Sequence, residues 1–158
     1  MTERNSNAGQ STGVRISTDP ADLDVDWVVA ALSERAYWAL GRPRDLIEAS
    51  IRGSLCFGAF VDGRQVGFAR VVTDLATFGW VCDVFVDEAA RGRGIGGELM
   101  GAITTHPQLH DIKRLVLSTR DAHAFYEQFG FEPLENPQRW LIRRSPTSNA
   151  GIETPDHG

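Results

Sequence analysis

The sequence predicts one mixed domain of the α/β or α+β class, a central sheet with helices on both faces. Three observations carry that expectation. The chain has 158 residues, room for a single core at about 100–200 residues per domain. Apolar residues recur at helical spacing up to Gly53 and then alternate from Leu55 onward. A hairpin signal, Asp62-Gly63, comes before two strand–helix–strand passages, so neighbouring antiparallel strands precede crossovers.

Each element has a local cause. Val14–Thr18 reads as a short strand. Asp24 can cap a helix whose face is Val25, Val28, Val29, Leu32 and Ala36. Gly41-Arg42-Pro43 interrupts it. Pro43 suits the first turn of a second helix, with Leu46, Ile47 and Ile51 inward and Gly53 at its end. Leu55, Phe57, Ala59 and Val61 alternate with their neighbours, and Val66, Phe68, Arg70 and Val72 do so in the return strand. A third strand is expected from Gly79 to Val86. A helix then carries Ile95, Leu99, Ala102 and Ile103 on one face. Lys113–Thr119 reads as a buried strand. Asp121 can cap a short helix, Ala122–Phe129, which Gly130 stops. Phe131–Leu134 and Arg139–Arg143 read as a last strand pair, whose exposed edge offers a second copy a place to form a homodimer.

The polar, glycine- and serine-rich ends, residues 1–13 and 145–158, cannot bury enough apolar surface to offset chain entropy and read as disordered tails. The domain is then residues 14–144. Net charge is −5 and no Lys/Arg run forms a basic stripe, which speaks against a nucleic-acid partner. Fifteen of the 16 basic residues are arginine, a bias read as genomic composition and not as chemistry. No apolar run reaches the roughly 20 residues of a membrane span. The polar start lacks the apolar core of a signal peptide. Together these lead us to expect a soluble cytoplasmic protein. Cys56 and Cys82 lie in apolar runs and read as small buried residues, and no Cys/His spacing suggests a metal.

The most informative stretch runs from Val84 to Met100. A strand leads into Arg91-Gly92-Arg93-Gly94-Ile95-Gly96, and that turn opens a helix. The first N–H groups of a helix have no partners within it and sit at the positive end of its dipole. Glycines let a phosphate approach those amides, and Arg91 and Arg93 add charge. A purely structural helix entry has no need of three alternate glycines. Gly92-x-Gly94-x-x-Gly97 also fits the dinucleotide pattern, but that site needs an acid about 20 residues on. The next strand, Arg114–Thr119, has none.

This turn resembles the coenzyme A signature of the GCN5-related N-acetyltransferase (GNAT) family, Arg/Gln-x-x-Gly-x-Gly/Ala after a strand. Glu88 stands where the family often has proline. Downstream, Thr119-x-x-Ala122-x-x-x-Tyr126-x-x-x-Gly130-Phe131 is similar to the family's Asn-x-x-Ala-x-x-x-Tyr-x-x-x-Gly-Phe, with Thr119 in place of asparagine. The resemblance implies the acyl-CoA N-acyltransferase fold and transfer of an acetyl group from acetyl-coenzyme A to a primary amine, small molecule or protein. It implies that Arg91–Gly96 hold the pyrophosphate and that Phe85 and Val86 line the pantetheine arm, with an N–H near Val86 on the thioester carbonyl. It implies Tyr126 as general acid on the leaving thiolate. A non-catalytic acyl-coenzyme A sensor on the same fold is the alternative.

Asp83, an acid inside a strand, is either the base that deprotonates the amine or an ion-pair partner, for example of Arg70. Tyr37, Trp38 and Arg42 join the first two helices, a segment that often lines the acceptor pocket in this family. Their rings suit a cation and Arg42 a carboxylate. Equally, Tyr37 and Trp38 can simply complete the first helix's core face. His123 reads as a solvated helix residue, and His106 and His110 as loop residues without a chemical role.

Overall fold

The structure is a computed structural model, and it describes residues 13–146. The expected tails lie almost wholly outside the described residues. Five strands form one sheet in sequence order: β1 Val14–Ser17, β2 Leu55–Val61, β3 Arg64–Thr73, β4 Gly79–Val86 and β5 Leu115–Val116. The first four pair antiparallel and β5 lies parallel to β4, so the sheet is mixed as expected. The β2–β3 turn places Asp62 at φ 50° and Gly63 at φ 75°, the two left-handed residues that such a hairpin requires.

Helices cover both faces. On one, α3 (Ile95–Thr105) packs Ile95, Leu99, Met100 and Ile103 against Phe57, Ala59, Ala69, Val71 and Val81. The short helix α4 (His123–Glu127) adds Phe125 and Tyr126 at the margin of that core. On the other, α1 (Val25–Ala30) and α2 (Arg44–Arg52) pack Val28 and Ile47 with Phe68 and Phe85. Asp24 caps α1, accepting from the Trp27 N–H at 3.0 Å, and its own N–H donates to Gln65 at 2.8 Å. Asp24→Ala is expected to cost about 1 kcal/mol, measured as a lower urea midpoint with unchanged slope.

Four expectations need correction. The first helix does not run regularly to Ala36. At Ala31 it widens into a π-turn ending at Arg35, closed by the Ala36 N–H on the Ala31 carbonyl at 2.9 Å. Pro43 precedes α2 as its cap residue and is not in the first turn. Asp121 does not cap α4. The cap residue is Ala122, with no side-chain cap, and its own N–H donates to the Thr119 hydroxyl at 3.0 Å. The last strand pair is absent among the described residues. Pro133 and Pro137 remove two donors, Asn136 turns left-handed at φ 61°, and a short 3₁₀ turn occupies Pro137–Arg139. Leu141 is 97% and Ile142 65% exposed, so the edge expected to carry a homodimer is not formed within this chain. An open cavity of about 1230 Å³ lies between β5, α4 and this segment, away from the glycine turn.

Candidate active site

The site begins where the sheet divides. β4 and β5 share two residue pairs, Gly79 with Leu115 and Trp80 with Val116. β4 then continues to Val86 with no strand partner on that side among the described residues. An unpaired strand edge presents N–H and C=O groups to any extended amide chain laid along it. Phe85 is buried among Trp27, Trp38 and the Arg35 guanidinium. Its ring therefore belongs to the core below α1, and only its backbone faces the edge. Val86 is half-buried, and its carbonyl accepts from Arg91 Nε at 3.3 Å.

A 3₁₀ turn, Glu88–Ala90, leads from β4 to the glycine turn. Gly92 lies at φ 79° and Gly94 at φ 76°, the region where a side chain is strained. No atom lies within 4 Å of where a Cβ would sit on either, so the space above the turn is open. Gly94 is the cap residue of α3 and supplies no side-chain acceptor. Ile95, expected beside the coenzyme, is buried in the core; only its N–H can serve a ligand. Gly96 has another task. A Cβ there would meet the Phe125 ring at 3.3 Å, so the glycine lets α4 close against the start of α3. Arg91, Arg93, Gly92 and Gly94 are exposed. The turn thus fits a phosphate: open space, helix amides and two guanidinium groups together.

Tyr126 follows Phe125 on α4 and is half-buried. Burial, then the nearby Tyr37 phenol, pushes its hydroxyl up to about 12. It stays protonated across the physiological range, and among the described residues it makes no hydrogen bond to the protein. Tyr37 sets its ring edge-on to Trp38 at 5.0 Å and lies under the Arg120 guanidinium at 4.3 Å. The segment between α1 and α2 therefore meets the loop that leads into α4. Arg120 was not foreseen, and no local pattern around it marks that contact.

Asp83 is buried on β4 at φ 52°. It occupies a bulge, because the β3 pairing skips from Phe68–Phe85 to Arg70–Cys82. Its carboxylate accepts from Trp38 Nε1 at 3.0 Å, Arg42 Nη1 at 2.8 Å and Arg70 Nε at 2.7 Å. Burial opposes its charge, but the Arg70 and Arg42 guanidinium groups outweigh burial and hold the carboxyl below its ordinary range. Of its two readings, this geometry favours the ion-pair partner and argues against the base. His123 is exposed, His106 rests edge-on against Phe57, and His110 faces Asp111. Among the described residues no His, Cys, Asp and Glu group could hold a metal, and no helix is long and apolar enough to cross a membrane.

The model of the acetyltransferase (GNAT) domain matches residues 52–133, which include β4, the glycine turn and α4. This chain belongs to the GNAT acetyltransferase family. A Gibberella zeae protein named as an acetyltransferase is 31% identical over 140 residues, 74% of this chain and 78% of that protein. The crystal structure of a GNAT-family protein from Xanthomonas campestris pv. campestris, titled as an acetyltransferase, has 46% identity and a TM-score of 0.81. It covers 84% of this chain and 94% of that one. A Deinococcus radiodurans R1 structure, at 22% identity and TM-score 0.66, covers 91% and 94% and shares the fold. The mixed five-stranded sheet with its helices is the GNAT fold.

Proposed function

We propose that this GNAT acetyltransferase moves an acetyl group from acetyl-coenzyme A to a primary amine by direct attack. The observation that carries the reading is one juxtaposition. Gly96 lets Phe125 close against the start of α3 beside Val86, so α4, which carries the protonated Tyr126, packs where the glycine turn meets the unpaired end of β4. When bound, acetyl-coenzyme A supplies a thioester carbonyl and a thiol leaving group. The N–H groups of Gly92–Gly96 and the Arg91 and Arg93 side chains hold its phosphates. The backbone from Val84 to Val86 holds its amide arm and offers an N–H to the carbonyl oxygen. The Tyr126 hydroxyl donates a proton to the departing sulfur. Asp83, committed to two arginines, does not take the amine's proton, which the reading leaves to water.

Calorimetry with acetyl-coenzyme A, alongside NAD, tests the turn. Gly94→Asp puts a strained side chain and a negative charge at the helix start, and binding is expected to weaken by at least about tenfold. Unchanged affinity, or preference for NAD, would overturn the reading.

A further inference from the structure

Two guanidinium groups face one buried carboxylate beside the segment that joins α1 and α2. Among the described residues Asp83 is the only acid within ion-pair distance of Arg42 or Arg70. The Asp83 side chain is fully buried, Arg70 is 11% exposed and Arg42 17%. The thiols of Cys56 and Cys82, beside Arg70, do not supply the missing negative charge. Burial pushes them up to about 11 and about 12, so both keep their protons. The cluster therefore holds one positive charge more than it balances, largely out of water, where an uncompensated charge is costly.

The two arginines are committed to different degrees. Arg70 gives Nε to Asp83 and Nη1 to Ser54 at 3.1 Å. Arg42 gives Asp83 a single bond, from Nη1. A guanidinium carries five N–H donors in a planar fork. Arg42, the more exposed of the pair, thus keeps donors for a planar anion. Its place is set by the same contacts. Arg42 and Trp38 both bind Asp83, Trp38 touches Tyr37, and Tyr37 lies under Arg120 in the loop that leads to α4. The spare charge lies on the segment that meets the loop leading to Tyr126.

We propose that Arg42 is an anion subsite of the acceptor pocket, and that the amine acceptor carries a carboxylate captured by its guanidinium. This rests on the acetyl-transfer reading above. The class of acceptor is an amino acid or a similar amino carboxylate, in its neutral-amine form when it reacts. The excess positive charge disfavours a polyamine, which brings further cations.

The test is a panel of free amino acids, each paired with its own carboxamide, assayed for thiol release from acetyl-coenzyme A. The acid of the preferred pair is expected to exceed its carboxamide in kcat/KM by about tenfold or more. Arg42→Gln should abolish that preference, chiefly by raising KM. Acetyl-coenzyme A binding to the variant, measured by calorimetry, and its circular dichroism report that it is folded. Arg42→Lys should recover part of the preference, as charge without the planar fork. The inference is overturned if carboxamides react as well as acids, or if Arg42→Gln slows both alike. It also falls if neither member of any pair reacts while calorimetry still shows acetyl-coenzyme A bound. Loss of coenzyme binding to the unaltered protein would instead overturn the acetyl-transfer reading itself.

Discussion

Replacing Asp83 by alanine is expected to lower the unfolding free energy by about 3–5 kcal/mol. The variant loses hydrogen bonds from Arg42, Arg70 and the Trp38 indole at once. It also leaves two mostly buried guanidinium groups with no carboxylate between them. The bulge adds to the effect, since Asp83 holds a left-handed backbone that only its three partners justify. The sign of the pH dependence follows from the lowered carboxyl. Unfolded, an aspartate titrates near about 3.9. The stabilisation is fully present above that value and is lost as pH falls through the lower folded value. Urea unfolding of both proteins at neutral pH and under strong acid should show the gap between them shrinking on acidification. A gap independent of pH would mean that packing, not the carboxylate charge, sets the loss.

Tyr126→Phe is expected to reduce kcat by roughly 100-fold or more, within the range for losing a general acid. Affinity for acetyl-coenzyme A should change little, because the glycine turn and the β4 edge are untouched. The ring contacts with Phe125 and Phe131 persist without the hydroxyl, so the fold should hold. Because the phenol is pushed up to about 12, its deprotonation contributes no alkaline loss of activity until close to that pH. Single-turnover rates and coenzyme titrations separate the two effects. Equal turnover in the variant would point to the sensor alternative or to another acid.

What could be read in the sequence was what local chemistry decides. The Asp24 cap, the Asp62-Gly63 turn and the glycine-rich helix start each depend on residues a few positions apart. The matching motifs at Arg91–Gly96 and Ala122–Phe131 placed the glycine turn and Tyr126 in one family. The rest depends on distant partners. Arg139–Arg143 has a strand's composition, but a strand exists only where another edge receives it, and β5 is two residues long. Asp83 could be read as acid or ion-pair partner until Arg42, 41 positions away, was seen beside it. The Arg120–Tyr37 contact depends on how α4 meets the first helical layer, which no short pattern encodes. Ile95, whose side chain is buried and whose N–H alone can serve a ligand, makes a related point. A motif names positions, whereas burial decides whether side chain or backbone does the binding.

The division between β4 and β5 also bears on the order in which the molecule is assembled. β2, β3 and β4 follow one another through short turns, so their register can be set by near neighbours along the chain. β5 returns only after the whole of α3, and its parallel pairing must overcome the entropy of that long closure. A chain that has formed the three-stranded meander already holds Arg70 against Asp83, yet it has no groove. The groove between β4 and β5 comes into being only with that long-range closure. Native-like strand content can therefore be reached before ligand-binding competence, and the second is the more stringent mark of complete folding.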